Sequence, residues 1–190
     1  MEVIVKQLGA EYNRSTFSVP PKHTLTGKYR AKVAAWVITC VPSIDEFYLC
    51  MWLLDRVRNN KKWPVQMAAV LIANKTHASS TLSNARAIEK HKWNVDTGRI
   101  LHEEISILEQ VGWHVPLLMV STCILEMCKL FVGVAIDSNY VQVVSRDLIV
   151  CESKLCGADV CTRAIQSVLC ENYAAAKYWI RYTRCLYNSF

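Results

Sequence analysis

Val65-Gln66-Met67-Ala68-Ala69-Val70-Leu71-Ile72-Ala73-Asn74-Lys75 is the stretch on which the fold turns. Val65, Ala68, Ala69, Ile72 and Lys75 recur at spacings of three and four, the period of a helix with one face turned inward. Ala68, Ala69 and Ala73 are small enough to let neighbouring helices come close, which suits the centre of a bundle. Pro64 stands just ahead, in a first turn where its missing N–H does no harm. The stripe ends on a charge, Lys75. A second stripe, Leu101, Glu104, Ile105, Leu108 and Val111, is interrupted by Glu104 in the same way. Unpaired buried charges are costly, so the two either pair with each other or face a surface that another protein covers.

Further helices lie on either side. Val33, Trp36, Val37 and Cys40 give one apolar face to a helix over about Thr26 to Cys40, and Pro42 breaks it. Ser43-Ile44-Asp45-Glu46 is a capping box that starts a second helix, with Phe47, Cys50, Met51, Leu54 and Val57 on its buried side. The polar turn Asn59-Asn60-Lys61-Lys62 leads to the helix quoted above. A short fourth helix is expected over Thr81 to Lys90. Asp96 caps a fifth from Thr97 to Val111, and Gly112 terminates it. The reading is all-α, with three parts. Residues 1–23 form an N-terminal arm ending in Val19-Pro20-Pro21. Residues 24–115 form a five-helix bundle, and residues 116–190 a second, shorter helical domain. Four helices are expected in that last part, near Leu117–Val132, Tyr140–Lys154, Ala158–Cys170 and Tyr173–Tyr187.

Bulk composition narrows the function. Of 190 residues, 52% are apolar and 20% charged, a globular balance, and 6 Gly and 5 Pro leave few turns. Net charge is +6, yet no basic run exceeds Lys61-Lys62, so a solvated basic surface is expected rather than a nucleic-acid face. The 9 Cys are odd in number and fall mostly at apolar helix positions, as reduced thiols of an intracellular protein would. Met1 to Val5 contains Glu2 and does not resemble a secretory leader. Cys151, Cys156 and Cys161 are spaced by about 500° of helical turn and do not converge on a metal. Val115 to Ile136 carries Glu126 and Lys129 near its middle, which favours a core helix over a membrane span. His23, His77, His91, His102 and His114 have no Ser or Cys partner at motif spacing, and no Gly-rich phosphate loop exists. No catalytic residue, cofactor or metal is expected.

Five segments, taken in order, resemble a cyclin box. They are Tyr29-Arg30-Ala31-Lys32-Val33-Ala34-Ala35-Trp36, Leu53-Leu54-Asp55-Arg56, Ala68 to Lys75, Ile100 to Leu108, and Val111-Gly112-Trp113-His114-Val115. The resemblance implies a cyclin-like five-helix bundle followed by a degenerate or truncated second cyclin fold. It also implies a non-enzymatic regulatory subunit that binds and activates a cyclin-dependent kinase, in cell-cycle or transcriptional control, in the nucleus or cytoplasm. By position, Lys75 and Glu104 would be the polar anchors for the kinase, with Leu108 and Trp113 as apolar contacts. Arg30, Trp36, Asp55 and Arg56 would stabilise the box, the last two as an internal ion pair. No obligate homo-oligomer is implied.

Three positions depart from the family pattern. Tyr29 and Lys32 stand where apolar residues are usual, which puts a substrate-docking groove in doubt, and Thr76 replaces an aromatic after Lys75. No Arg-x-x-Leu degradation signal occurs, which is similar to D-type or virus-encoded cyclins. The alternative is a transcription-factor-IIB-like module, with the same fold binding nucleic acid or transcription machinery.

Overall fold

Ser43 and Glu46 satisfy each other's backbone at the start of the most enclosed helix. The Glu46 N–H donates to Ser43 Oγ at 3.1 Å, and the Ser43 N–H donates to Glu46 Oε2 at 3.4 Å. The computed structural model describes residues 25–41, 43–77 and 83–115. They form five helices: α1 (Gly27–Cys40), α2 (Ile44–Leu54), α3 (Trp63–His77), α4 (Asn84–Lys90) and α5 (Thr97–Gln110). There is no strand among the described residues, so this part of the chain is all-α. The arm 1–23 and the expected domain 116–190, with its Cys151, Cys156 and Cys161 and the apolar stretch from 116 to 136, lie outside the described residues.

Every residue of α2 is buried, not only the Phe47, Cys50, Met51 and Leu54 side that the sequence pattern selects. The reason is its composition: apart from Asp45 and Glu46 in the first turn, the helix is apolar all round, and such a helix is an interior one. The small-residue helix α3 is buried continuously from Val65 to Ala73 and packs mainly against α2 and α5. Helix α1 rests on α2, and α4 on α5. The centre of the bundle is therefore the α2–α3 pair rather than α3 alone.

Local chemistry sets the ends of the shorter helices. Helix α4 begins at Asn84 because the Ser83 hydroxyl accepts from the Arg86 N–H at 3.3 Å. The expected start at Thr81 lies outside the described residues. Asp96 caps α5 by accepting from the Arg99 N–H at 3.0 Å. At its other end Gly112 turns left-handed (φ 64°), so that the Gly112 N–H reaches the Glu109 carbonyl and the Trp113 N–H reaches that of Leu108.

Buried polar side chains tie the elements together. Arg30 of α1 donates to Asp55, which ends α2, and both side chains are enclosed. Asp55 also feels the charge of Arg56, as the sequence suggests, though its direct bridge is to Arg30. Arg56 lies over the Trp52 ring, 4.0 Å from its centroid, and donates to the Trp52 carbonyl at 3.2 Å. Gln66 Nε2 reaches the Tyr29 hydroxyl at 3.0 Å and the Asn60 carbonyl at 2.9 Å, and Asn60 Nδ2 donates to the Leu54 carbonyl at 2.8 Å. These bonds hold the loop between α2 and α3 against α1.

Burial pushes the Asp55 carboxyl up to about 6, against the opposing pull of Arg30. An unfolded Asp ionises near ~3.9. Between these values the folded state keeps a proton that the unfolded state has lost, so Asp55 contributes stability at low pH that disappears as pH rises through about 6. Denaturant unfolding of wild type and Asp55→Asn from pH 4.5 to 7.5 checks this. The stability of wild type relative to the variant is expected to fall by roughly 2 kcal/mol over that range. The difference cancels the opposite contributions of His77 and His91, whose pKa values burial lowers. Parallel profiles would contradict the assignment.

Candidate functional site

Lys75 occupies the last turn of α3, and Glu104 the middle of α5, where these two closely packed helices face each other. Lys75 Nζ lies 2.7 Å from Glu104 Oε1 and 2.9 Å from Oε2. Asn84, the first residue of α4, adds a third donor, its Nδ2 standing 3.0 Å from Glu104 Oε2. One carboxylate thus joins three helices. Among the described residues Asn84 Oδ1 is buried without a partner, an acceptor left over at the edge of this cluster.

The two charges are not equivalent. Glu104 is buried, whereas the Lys75 side chain keeps 40% of its surface in contact with solvent. Sequence periodicity puts both inside apolar stripes. The structure places Lys75 at a rim, because α3 runs on to its last turn beyond the enclosed segment Val65–Ala73. An ammonium has three N–H donors, and two of them are spent on Glu104. The third is available to an acceptor approaching from outside.

Helix α5 is also rotated from the orientation its pattern suggests. Ile100, Glu104 and Ile107 point inward. Leu101, Ile105 and Leu108 were expected inside with Glu104, but Leu101 is 51% exposed, Ile105 is 42% exposed and Leu108 is half-buried. The apolar arc of α5 is wider than α3 and α4 cover. Its inner edge enters the core and its outer edge faces water. Beyond the helix end, the turn at Gly112 leaves Trp113 64% exposed. The Arg58 N–H donates to Gln110 Oε1 at 2.7 Å and holds the end of α5 to the α2–α3 loop.

The remaining residues singled out in the sequence form separate clusters. Arg30 and Asp55 make the buried bridge described above. Trp36 packs in an aromatic cluster with Trp63, and Arg56 covers Trp52. Sequence reasoning missed Asn84 as the third partner of Glu104. No pattern could reveal it, because the contact spans 20 residues and depends on how α4 folds back onto α5. It also missed Leu101 and Ile105 as surface residues.

Among the described residues, no group of three or more His, Cys, Asp or Glu side chains could hold a metal ion, and no helix is long and apolar enough to cross a membrane. No protein-family model matches the chain, and no curated protein matches it.

The unequal burial of the pair generates a prediction. Removing Lys75 strands a buried carboxylate, which costs about 3 kcal/mol. Removing Glu104 lets the rim ammonium swing into water and orphans only the Asn84 amide, at about 1 kcal/mol. Lys75→Met is therefore expected to lower stability more than Glu104→Ala in chemical denaturation at neutral pH. The reverse order would show that Lys75, not Glu104, is the member that cannot reach solvent.

Proposed function

We propose that the chain is a cyclin-like regulatory subunit that docks on a cyclin-dependent kinase through α5 and the end of α3, and so activates it. One observation carries this reading. Leu101, Ile105 and Trp113 are three of the four large hydrophobic side chains exposed among the described residues, and they lie along α5 and its exit, the helix that holds Glu104 against Lys75. An apolar strip with a half-solvated ion pair beside it has the make-up of an interface core with a polar anchor. The polar anchor contributes orientation as much as affinity.

The residues have distinct roles in this mechanism. Ile105, Leu101 and Leu108 fill the underside of the kinase's regulatory helix, and Trp113 covers the neighbouring surface. The free donor of Lys75 meets a backbone acceptor at the end of that helix. Docking moves the helix inward, so that its Glu pairs with the ATP-binding Lys of the kinase. Phosphoryl transfer belongs wholly to the partner, and the regulatory chain contributes position. The cyclin resemblance of residues 24–116 supports this reading, as does the coincidence of the inherited anchor positions with the strip.

Co-purification with a panel of cyclin-dependent kinases, followed by assay of the bound kinase, tests it. Wild type is expected to retain and activate at least one kinase. Ile105→Glu, at an exposed position, is expected to weaken retention by tenfold or more while leaving thermal stability unchanged. Lys75→Glu is expected to abolish retention. Retention of no kinase, or equal retention by all three proteins, would overturn the proposal.

A further inference from the structure

Two short basic motifs 29 residues apart in sequence, Lys61-Lys62-Trp63 and Lys90-His91-Lys92-Trp93, come together on one flank of α1. Their tryptophans meet Trp36 of that helix. The Trp36 and Trp63 ring centroids are 4.4 Å apart, and those of Trp36 and Trp93 are 6.2 Å apart. His91 stacks on Trp93 at 5.0 Å, with the planes 19° apart. Closer to the start of α1, the Lys61 ammonium stands 5.7 Å from the Tyr29 ring centroid, and the Tyr29 hydroxyl donates to the Lys61 carbonyl at 3.1 Å. Near the end of α1, burial pushes the Cys40 thiol up, and Lys90 is near enough to oppose that shift in part.

Tyr29, Trp36 and Cys40 recur at helical spacing, so these contacts follow one stripe of α1, about 16 Å long from Tyr29 to Cys40. Its charge is one-sided. Helix α1 presents Lys28 and Lys32 to solvent and has no Asp or Glu, its Arg30 being buried on Asp55; neither of the two motifs contains an acidic residue, and the nearest in sequence is the exposed Glu89 before Lys90. Lys32, Lys61, Lys62, Lys90 and Lys92 are all exposed. Trp63, the fourth large exposed hydrophobic, keeps 45% of its surface in water although it sits on Trp36. A base-sized flat surface flanked by exposed lysines matches a ligand that is at once polyanionic and aromatic.

We propose that this stripe binds single-stranded nucleic acid, with a base stacked on Trp63 and the backbone phosphates running between the lysines of the two motifs. Stacking needs the open ring and tolerates any base, while the lysines follow the backbone. An acidic peptide would satisfy the lysines and leave the Trp63 face unused, so the aromatic platform decides between the two. The surface is distinct from the α5 strip, and this proposal does not depend on the kinase reading. The linear sequence, in which no basic run exceeds Lys61-Lys62, speaks against a nucleic-acid face. The charge cluster exists only once the two motifs meet across the fold.

Fluorescence anisotropy with a labelled 12-nucleotide oligo(dT) and the full chain tests the proposal, with a 12-base-pair duplex and an oligoglutamate of equal charge as comparisons. Saturable binding to the single strand at low salt is expected, tighter than to either comparison. Trp63→Ala is expected to weaken it at least fivefold and Trp63→Phe to restore most of the loss. With four phosphates neutralised, log K is expected to fall with log salt at a slope near about −3, and Lys62→Gln with Lys92→Gln to reduce that slope by about 1.4. Binding that ignores Trp63→Ala, or that favours oligoglutamate, would overturn the proposal, as would the absence of saturable binding. Circular dichroism of each variant confirms that it is folded before it is counted.

Discussion

The burial of one carboxylate sets the arrangement around the site. Glu104 enters the bundle on the inner face of α5, where an unpaired charge could not remain. Its two oxygens take Lys75 from α3 and Asn84 from α4. Three helices must therefore meet at one point and in one register. That register leaves α5 turned so that Ile100 and Ile107 fill the core while Leu101 and Ile105 face outward. The internal bridge and the outward strip follow from one rotation of one helix. A bridge that orders the bundle and a surface that meets a partner are then compatible roles for the same pair.

Much of the fold was legible because its signals are local. The Ser43–Glu46 capping box, Asp96 at the start of α5 and Gly112 after its end each act within a few residues, and each marks a boundary the structure keeps. The pairing of Lys75 with Glu104 could be read as one of two outcomes, because each charge breaks an otherwise apolar stripe. Other features depend on packing and left no local trace. The pattern of α5 is apolar over too wide an arc to say which edge is covered. Asp55 could be matched with its neighbour Arg56 by proximity in sequence, whereas the fold brings in Arg30 from 25 residues away. Periodicity marks only one buried side of α2, but its two charged residues, Asp45 and Glu46, both lie in the first turn, where the cap and Asn74 accommodate Glu46.

The exposed large side chains divide into two groups with different surroundings. Leu101, Ile105 and Trp113 follow α5 and its exit and adjoin one polar anchor, as suits a protein partner. Trp63 lies among lysines and other rings, as suits a stacked anion. One chain could thus hold a kinase on one face and a nucleic acid on another. Its activity would then depend on where the complex is held as well as on the kinase it activates.

We propose the outer edge of α5 as a docking face for a kinase. A photo-crosslinking amino acid placed at position 105, in the full chain incubated with the kinase it retains, tests this most directly. Crosslinks to the kinase's regulatory helix, mapped by mass spectrometry and absent when the probe stands at position 63, are the predicted result. A kinase that binds without crosslinking to position 105, or that crosslinks there only through a segment remote from its regulatory helix, would contradict it.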